Sequence, residues 1–297
     1  MLLFLTFGTL AIAQVEDDPD ADEEDSEEFR TFNNADYRGF YIGGNVGVYF
    51  ANKSTATFYS GNELLTPNSV CVFLGCAGNN GIPQVYNQLV EELGGYDFEL
   101  AEFAQEMNYN PAISLGMNLR YRTGPFMTIQ TDLNYVNLRA NGILVYQIDR
   151  PNPDGSLGDY FESHPIWGEE QRFILSPGVQ MYLSDPSDFV PYIDLGAVLT
   201  STRARENRFS VGNRQYSILR PTQNANGTII NNRQATANGF GFYSGIGVNV
   251  KFEKVILDFG YRASFEKVPF RKLDEEFSMF DERTLHHAIT LKFLYAK

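Results

Sequence analysis

Side chains able to do chemistry are scarce in this chain, and their spacing points away from catalysis. Of 297 residues only three are histidine and two are cysteine. Cys71 and Cys76 have four residues between them. That spacing suits a disulfide closing a small loop in an exported chain, not the Cys-x-x-Cys pattern of a redox centre. His286 and His287 are adjacent, so in an extended segment their rings point to opposite faces. Neither they nor His164 are accompanied by a Gly-x-Ser-x-Gly or other nucleophile signature, and a hydrolytic triad is not assembled. Asp149, Asn152, Asp154, Gly155 and Asp159 offer oxygen ligands that would suit calcium, but Arg150 stands where the first ligand of an EF-hand spacing should be. The run reads as a polar turn. Gly239, Gly241 and Gly245 imitate a phosphate loop, yet a strand-like stretch follows them where such a loop needs a helix. The expectation is no enzyme, no metal and no cofactor.

Charge is the next discriminator. The formal net charge is −14, but ten of its acids, Glu16, Asp17, Asp18, Asp20, Asp22, Glu23, Glu24, Asp25, Glu27 and Glu28, fall within thirteen positions. Outside that tract 27 acidic residues meet 23 basic ones, so the rest of the chain is nearly balanced. Without a basic block the chain is repelled by phosphate backbones, and nucleic acid is excluded as a partner. The tract cannot bury enough apolar surface to offset its ordering entropy, and residues 14–36 read as a disordered acidic tail. Before it, residues 1–13 form a short apolar run ending in Ala11-Ile12-Ala13, the form of a secretory signal peptide. That run is shorter than the roughly 20 apolar residues of a membrane-spanning helix. The tail then starts the mature chain in the periplasm.

Over residues 37–297 the dominant pattern is alternation with period two, the signature of strands with one apolar face. Ile113, Leu115, Met117, Leu119 and Tyr121 alternate with Ser114, Gly116, Asn118, Arg120 and Arg122. Eight such stretches occur, beginning at Phe40, Ile113, Met127, Phe173, Ile193, Ile246, Val255 and Leu285. Short connections around Gly124, Asp185 and Glu253 alternate strictly with long ones, roughly 60–109, 150–170, 211–237 and 266–282. Strict alternation of short turns and long loops is expected of an all-β, eight-stranded antiparallel up-and-down transmembrane barrel, with short periplasmic turns and long extracellular loops. The polar faces carry Arg120, Arg122, Asp132, Asp194, Lys251, Asp258, Arg262 and Lys292. In a barrel in lipid these would form a polar network filling a narrow interior. Pro177 removes a ladder donor and predicts a bulge. Aromatics predict two girdles, with Tyr121, Phe126, Phe189, Phe252, Phe293 and Tyr295 at the short-turn rim and Phe58, Tyr146, Phe173, Phe209, Phe242 and Phe265 at the loop rim.

Within the first long loop, apolar residues recur at helical spacing over 84–93 and 97–107. Two short amphipathic helices are predicted, offering Val85, Leu89, Leu93, Leu100, Phe103 and Met107 as a partner-contact surface.

The Gly39-Phe40-Tyr41-Ile42-Gly43-Gly44-Asn45-Val46-Gly47 strand, the Asn110-Pro111-Ala112-Ile113-Ser114-Leu115-Gly116 opening and the closing His286-His287-Ala288-Ile289-Thr290-Leu291-Lys292-Phe293 resemble the porin-like small outer-membrane β-barrels of Bacteroidota-type bacteria. In architecture the chain is similar to the OmpX and OmpA-barrel group. The resemblance implies a bacterial outer-membrane location and contact with outer-membrane lipid, and it identifies no activity. The tail and the long loops point to other outer-membrane or periplasmic proteins as partners. The expected role is a structural or accessory subunit, with an outer-membrane protein assembly or secretion complex as its setting. A small-solute channel and, behind it, a surface enzyme are the alternatives.

Overall fold

The computed structural model describes residues 39–62, 69–74, 83–153, 155, 157–184, 188–219, 221–223, 229–231, 236–252, 255–268 and 283–296. Residues 1–13, whose sequence reads as a signal peptide, the acidic tract from Glu16 to Glu28, Cys76 and Asp154 lie outside the described residues. Eight antiparallel strands form a ring: β1 (Gly39–Phe50), β2 (Ala112–Arg122), β3 (Met127–Ile148), β4 (Tyr160–Tyr182), β5 (Phe189–Val211), β6 (Thr236–Phe252), β7 (Val255–Lys267) and β8 (Thr284–Ala296). Each pairs with the next, and β8 pairs back onto β1 from Tyr41 opposite Ala296 to Phe50 opposite His287. The short turns and long connections alternate as the sequence predicts.

Pro177 departs from expectation. The β4–β5 ladder omits Ser176 and Pro177, but the pairs on either side, Leu175 with Leu199 and Gly178 with Gly196, keep one register. The missing donor is absorbed by a local gap without a bulge. Gly178 and Gly196 make this close approach workable, since a Cβ on either would strike backbone across the strand pair and the ring of Tyr243. The register shift lies between Glu169 and Glu170, whose partners step from Glu206 to Ala204 and leave Arg205 as the extra residue.

The outer face is apolar in a belt and polar above it. Ile113, Leu115, Met117, Ile129, Leu133, Leu175, Leu195, Leu199, Ile246 and Phe259 are all exposed on the outside of the ring. Above Leu133, Phe173 and Leu199 the same faces continue as Asn137 and Arg139, Gln171 and Glu169, and Ser201, Arg203 and Arg205. The change falls in one row, because the register aligns Tyr135, Phe173, Ser201 and Asn238. Met127 to Tyr135 and Phe173 to Met181 give the belt the height of a transmembrane strand, about 9–11 residues.

β3, β4 and β5 have 22, 23 and 23 residues and run well past this belt. The inner face of β3 inverts where they leave it. Thr128, Gln130 and Asp132 are buried within the belt, and Val136, Leu138, Ala140, Leu144, Tyr146 and Ile148 above it. Above the belt both sides of the sheet would otherwise meet water, so apolar side chains turn inward. They pack on a cap built from the 51–111 segment: helix α1 (Lys53–Ala56), a 3-10 turn at Thr57–Tyr59, α2 (Cys71–Leu74) and α3 (Pro83–Glu92). Asn52 caps α1 by accepting from the Ser54 amide at 2.9 Å. Gly94 at φ +81° ends α3, with its N–H on the Glu91 carbonyl and that of Gly95 on the Val90 carbonyl, a Schellman closure.

The cap corrects three expectations. Helix α3 forms where predicted, but Phe98–Glu102 is a strand paired with Val145 to Ile148 of β3, and Asn108–Tyr109 is another. The unpaired upper edge of β3 captures this segment, and backbone pairing outweighs its helical apolar spacing. Leu89, Leu93 and Met107 are buried in the cap core, with Val85 and Leu100 packed against it. These five pack in or against the cap core, Val85 and Leu100 as half-buried residues, and are not a free contact surface; Phe103 alone of the six lies outside that cluster, beside an open cleft. Phe58, Tyr146 and Phe209 also belong to this core, at 1%, 0% and 0% exposure, because they sit above the belt. Of the six aromatics predicted for the loop rim, Phe173, Phe242 and Phe265 face outward.

Replacing the fully buried Leu89 with alanine is expected to cost about 2–5 kcal/mol. The loss should be local. Limited proteolysis should cut the 51–111 segment faster while the ring keeps its heat-modifiable migration in SDS gels; an unchanged cleavage rate would show that Leu89 does not hold the cap.

Candidate functional site

The interior is the natural place to look for a site, because eight strands leave a lumen that side chains can fill. Its lower part holds three cations and three anions from five strands. Asp132 of β3 receives Lys292 Nζ of β8 at 2.8 Å and Arg262 Nη1 of β7 at 2.8 Å. Arg262 also pairs with Asp194 of β5, which accepts from Gln130 at 3.0 Å. Arg120 of β2 pairs with Asp258 of β7 and donates to Asn118 at 2.8 Å, and Asn118 donates in turn to Asp132. Tyr192 donates to Asp258. Arg120, Asp132, Asp194, Asp258 and Lys292 are buried, and Arg262 nearly so.

Two predicted members stand apart from this network. Arg122 turns to the rim, donating to the carbonyls of Gly124 and Pro125 at 3.1 and 2.8 Å and lying 4.8 Å from the Tyr182 ring centre. It locks the first short turn. Lys251 has the inward parity but stands so close to the end of β6 that it is exposed.

Above this network an apolar layer of Tyr49, Val136, Leu138, Ile174, Val198 and Tyr243 crosses the lumen. A cavity of about 40 Å³ remains beside it, lined by Ser114, Asn134, Ser176 and Thr290, enough for water. Next comes a second polar node. Arg172 donates to Glu170 at 2.6 Å, Tyr49 at 3.3 Å and Thr55 at 3.2 Å. Glu170 also accepts from Tyr59 at 2.8 Å and Tyr109 at 3.0 Å, both from the cap segment. Tyr49 reaches Glu266 at 3.2 Å, and the Nδ1 of His286 accepts from the Asn52 amide at 3.0 Å. None of these residues was singled out by sequence apart from His286, although Glu170 and Arg172 share the parity of Ser176, and Glu266 that of Asp258 and Arg262. Continuing the alternation past the belt would have found them.

The remaining candidates are spread over the surface. His287 faces outward, where its Nδ1 and the Tyr261 hydroxyl lie 2.6 Å apart. His164 packs against Tyr146 in the upper part of β4. Asp149 and Asp159 line a crevice of about 300 Å³ with Asp97 and Glu99, and among the described residues no three acidic, histidine or cysteine side chains are placed to hold a metal ion. Cys71 is buried at the start of α2. On the far side of the cap, Glu92 of α3 accepts from Arg214 Nε at 2.8 Å, and this hydrogen bond holds its carboxyl below the ordinary range.

The stacked layers can fix strand register and anchor the cap, and they fill the described lumen. Purified protein in a planar bilayer is therefore expected to give no stable open conductance; a reproducible open level would overturn this account of the lumen. Arg172→Met leaves Glu170 buried without its charge partner and is expected to cost about 3–5 kcal/mol in a guanidinium titration. Restoring part of that with Glu170→Gln in the same chain is the expected signature of the pair, and a loss below about 1 kcal/mol would make the node dispensable.

No protein-family model and no curated protein matches the chain. Similar solved structures include the outer membrane protein OprG from Pseudomonas aeruginosa, at 10% identity and TM-score 0.40, covering 88% of this chain and 96% of that one. Neisserial surface protein A is similar at 11% identity and TM-score 0.35, with 87% and 97% covered. Ail, the attachment invasion locus protein of Yersinia pestis, is similar at 8% identity and TM-score 0.33, with 87% and 99% covered.

Proposed function

We propose that this chain is a non-enzymatic integral outer-membrane β-barrel, of the porin-like kind that Bacteroidota-type bacteria carry, serving as a structural or accessory subunit that docks partner proteins. The observation that carries the reading is the pairing of a filled lumen with a built platform. Three strands rise past the apolar belt and are tied by Glu170 and Arg172 to a packed cap. A solute path does not need such a platform, whereas a rigid docking surface does, because preorganisation lowers the ordering cost of binding.

The contact surface on this reading is the side of the platform, where a cleft of about 550 Å³ is lined by Phe103, Glu106, Asn108, Asn141, Ile143 and Val145. Ile143 is 59% exposed there, with Phe103 beside it, an apolar centre with a polar rim. The acidic residues 16–28 supply a second handle on the periplasmic side, suited to a basic partner, and an assembly or secretion complex is the setting in which both handles would be used. The Cys71–Cys76 disulfide is part of the proposal as a clasp on the cap.

Extraction of native membranes in mild detergent, followed by affinity purification of the tagged chain, is expected to bring down stoichiometric partner proteins. Ile143→Asp should release a partner held at the cleft without altering heat-modifiable migration. Recovery of the barrel alone under mild conditions would sink the docking role.

A further inference from the structure

The wall between β4 and β6 carries a feature that docking does not use. On the outer face, Leu133, Phe173, Leu175, Leu199, Thr200, Ser201, Asn238 and Gly239 enclose a groove of about 300 Å³. It lies where the apolar belt meets the polar rows. The register places Leu133, Leu175, Leu199 and Phe240 in one outer row, Phe173, Ser201 and Asn238 in the next, and Gln171, Arg203 and Thr236 above. The middle row is bare because Ser201 and Asn238 are small beside Phe173 and Phe240. Behind it, a Cβ at the inward-facing Gly239 would strike the Lys267 carbonyl, so β6 lies tight against β7.

Two arginines overlook this groove. Arg203 stands two residues above Ser201 on the same face, a rise of about 7 Å. Arg205 is the extra residue of the bulge between Glu169 and Glu170, which pushes it out of the ladder. Both are exposed, and neither has an ion pair among the described residues. The nearby carboxylate of Glu206 is occupied by Arg208 at 2.8 Å. On the same outer surface Arg139 lies over the Trp167 ring and Arg283 over the Phe240 ring, 5.6 and 6.0 Å from the ring centres, so Arg203 and Arg205 are the two that keep neither a carboxylate nor a ring among the described residues. In a chain with a net charge of −14, two guanidiniums without an ion pair among the described residues stand on the rows above an apolar slot at the edge of the lipid belt.

We infer that this groove is a binding site for one acyl chain of an anionic, phosphate-bearing lipid of the outer leaflet, with the phosphate held by Arg203 and Arg205. The apolar rows take the chain, Ser201 and Asn238 offer hydrogen bonds at the depth of the ester linkages, and guanidiniums suit phosphate oxygens. The inference rests on the outer-membrane reading above, which sets the loop side of the belt in the outer leaflet.

The test uses the full chain in mixed micelles holding equal amounts of phosphatidylglycerol and phosphatidylcholine with matched chains, and native mass spectrometry of the lipid retained. Wild type is expected to keep phosphatidylglycerol over phosphatidylcholine by about tenfold. R203Q with R205Q should bring the two lipids level, and S201W, which fills the groove from an exposed position, should lower retention of both. Inorganic phosphate, having no chain for the groove, should leave retention unchanged. An undiminished preference in the double variant, wild-type retention in S201W, or displacement by inorganic phosphate would each overturn the site. Failure of folded protein to insert into phosphatidylcholine vesicles would instead overturn the membrane reading itself, so the two are told apart.

Discussion

Closure of the backbone ring is the constraint on which everything else depends. In lipid no water is at hand for an unpaired amide or carbonyl, so the strands must satisfy one another around the full circle. The return of β8 onto β1 removes the last free edge. Once the ring is closed, side-chain parity decides which residues face lipid and which face the lumen. The lumen of an eight-stranded ring is too narrow for bulk water, so the polar groups turned into it must neutralise one another. Three aspartates and three cations meet that demand in the lower layer, drawn from strands far apart in the chain. Pro177 shows how tight the constraint is: the ladder gives up two positions there and still holds its register.

The same constraint explains the inversion along β3. Within the belt the outside is apolar solvent and the inside is polar; above it the outside is water and the inside becomes a protein core. One face of a single strand therefore carries Gln130 and Asp132 low down and Leu144 and Tyr146 higher up. The cap exists because of this change. Three long strands alone would expose an apolar concave face, and the 51–111 segment covers it with α3, Phe58, Tyr59 and Phe73.

What the sequence made legible follows from where the two solvents differ most. Alternation is clean between Met127 and Tyr135 because lipid and lumen impose opposite demands on adjacent residues. It blurs above the belt, where water on one side and core on the other tolerate more. Glu170, Arg172 and Glu266 sit in that zone, at the margins of the recognisable strand patterns. Leu100, Phe103 and Met107 fit a helical stripe, but a five-residue strand and a bend satisfy the same burial once β3 offers an unpaired edge. Tyr146 and Phe209 look interfacial from spacing because sequence alone cannot place the upper boundary of the membrane. That boundary is set by register between strands, which aligns Phe173 with Ser201 and Asn238, and no single strand contains it.

The Glu170 and Arg172 node joins the two halves of the molecule energetically. Glu170 is fully buried and accepts from Tyr59 and Tyr109, both supplied by the cap segment, as well as from Arg172 of its own strand. Lifting the cap would strip two donors from a buried carboxylate, a cost that falls on the barrel as well as on the cap. Cap order is thereby linked to the integrity of the lumen, and the platform cannot loosen without weakening the layer beneath it. A partner meeting this surface finds a shape already ordered by the barrel, and its binding free energy is not spent on folding a loop.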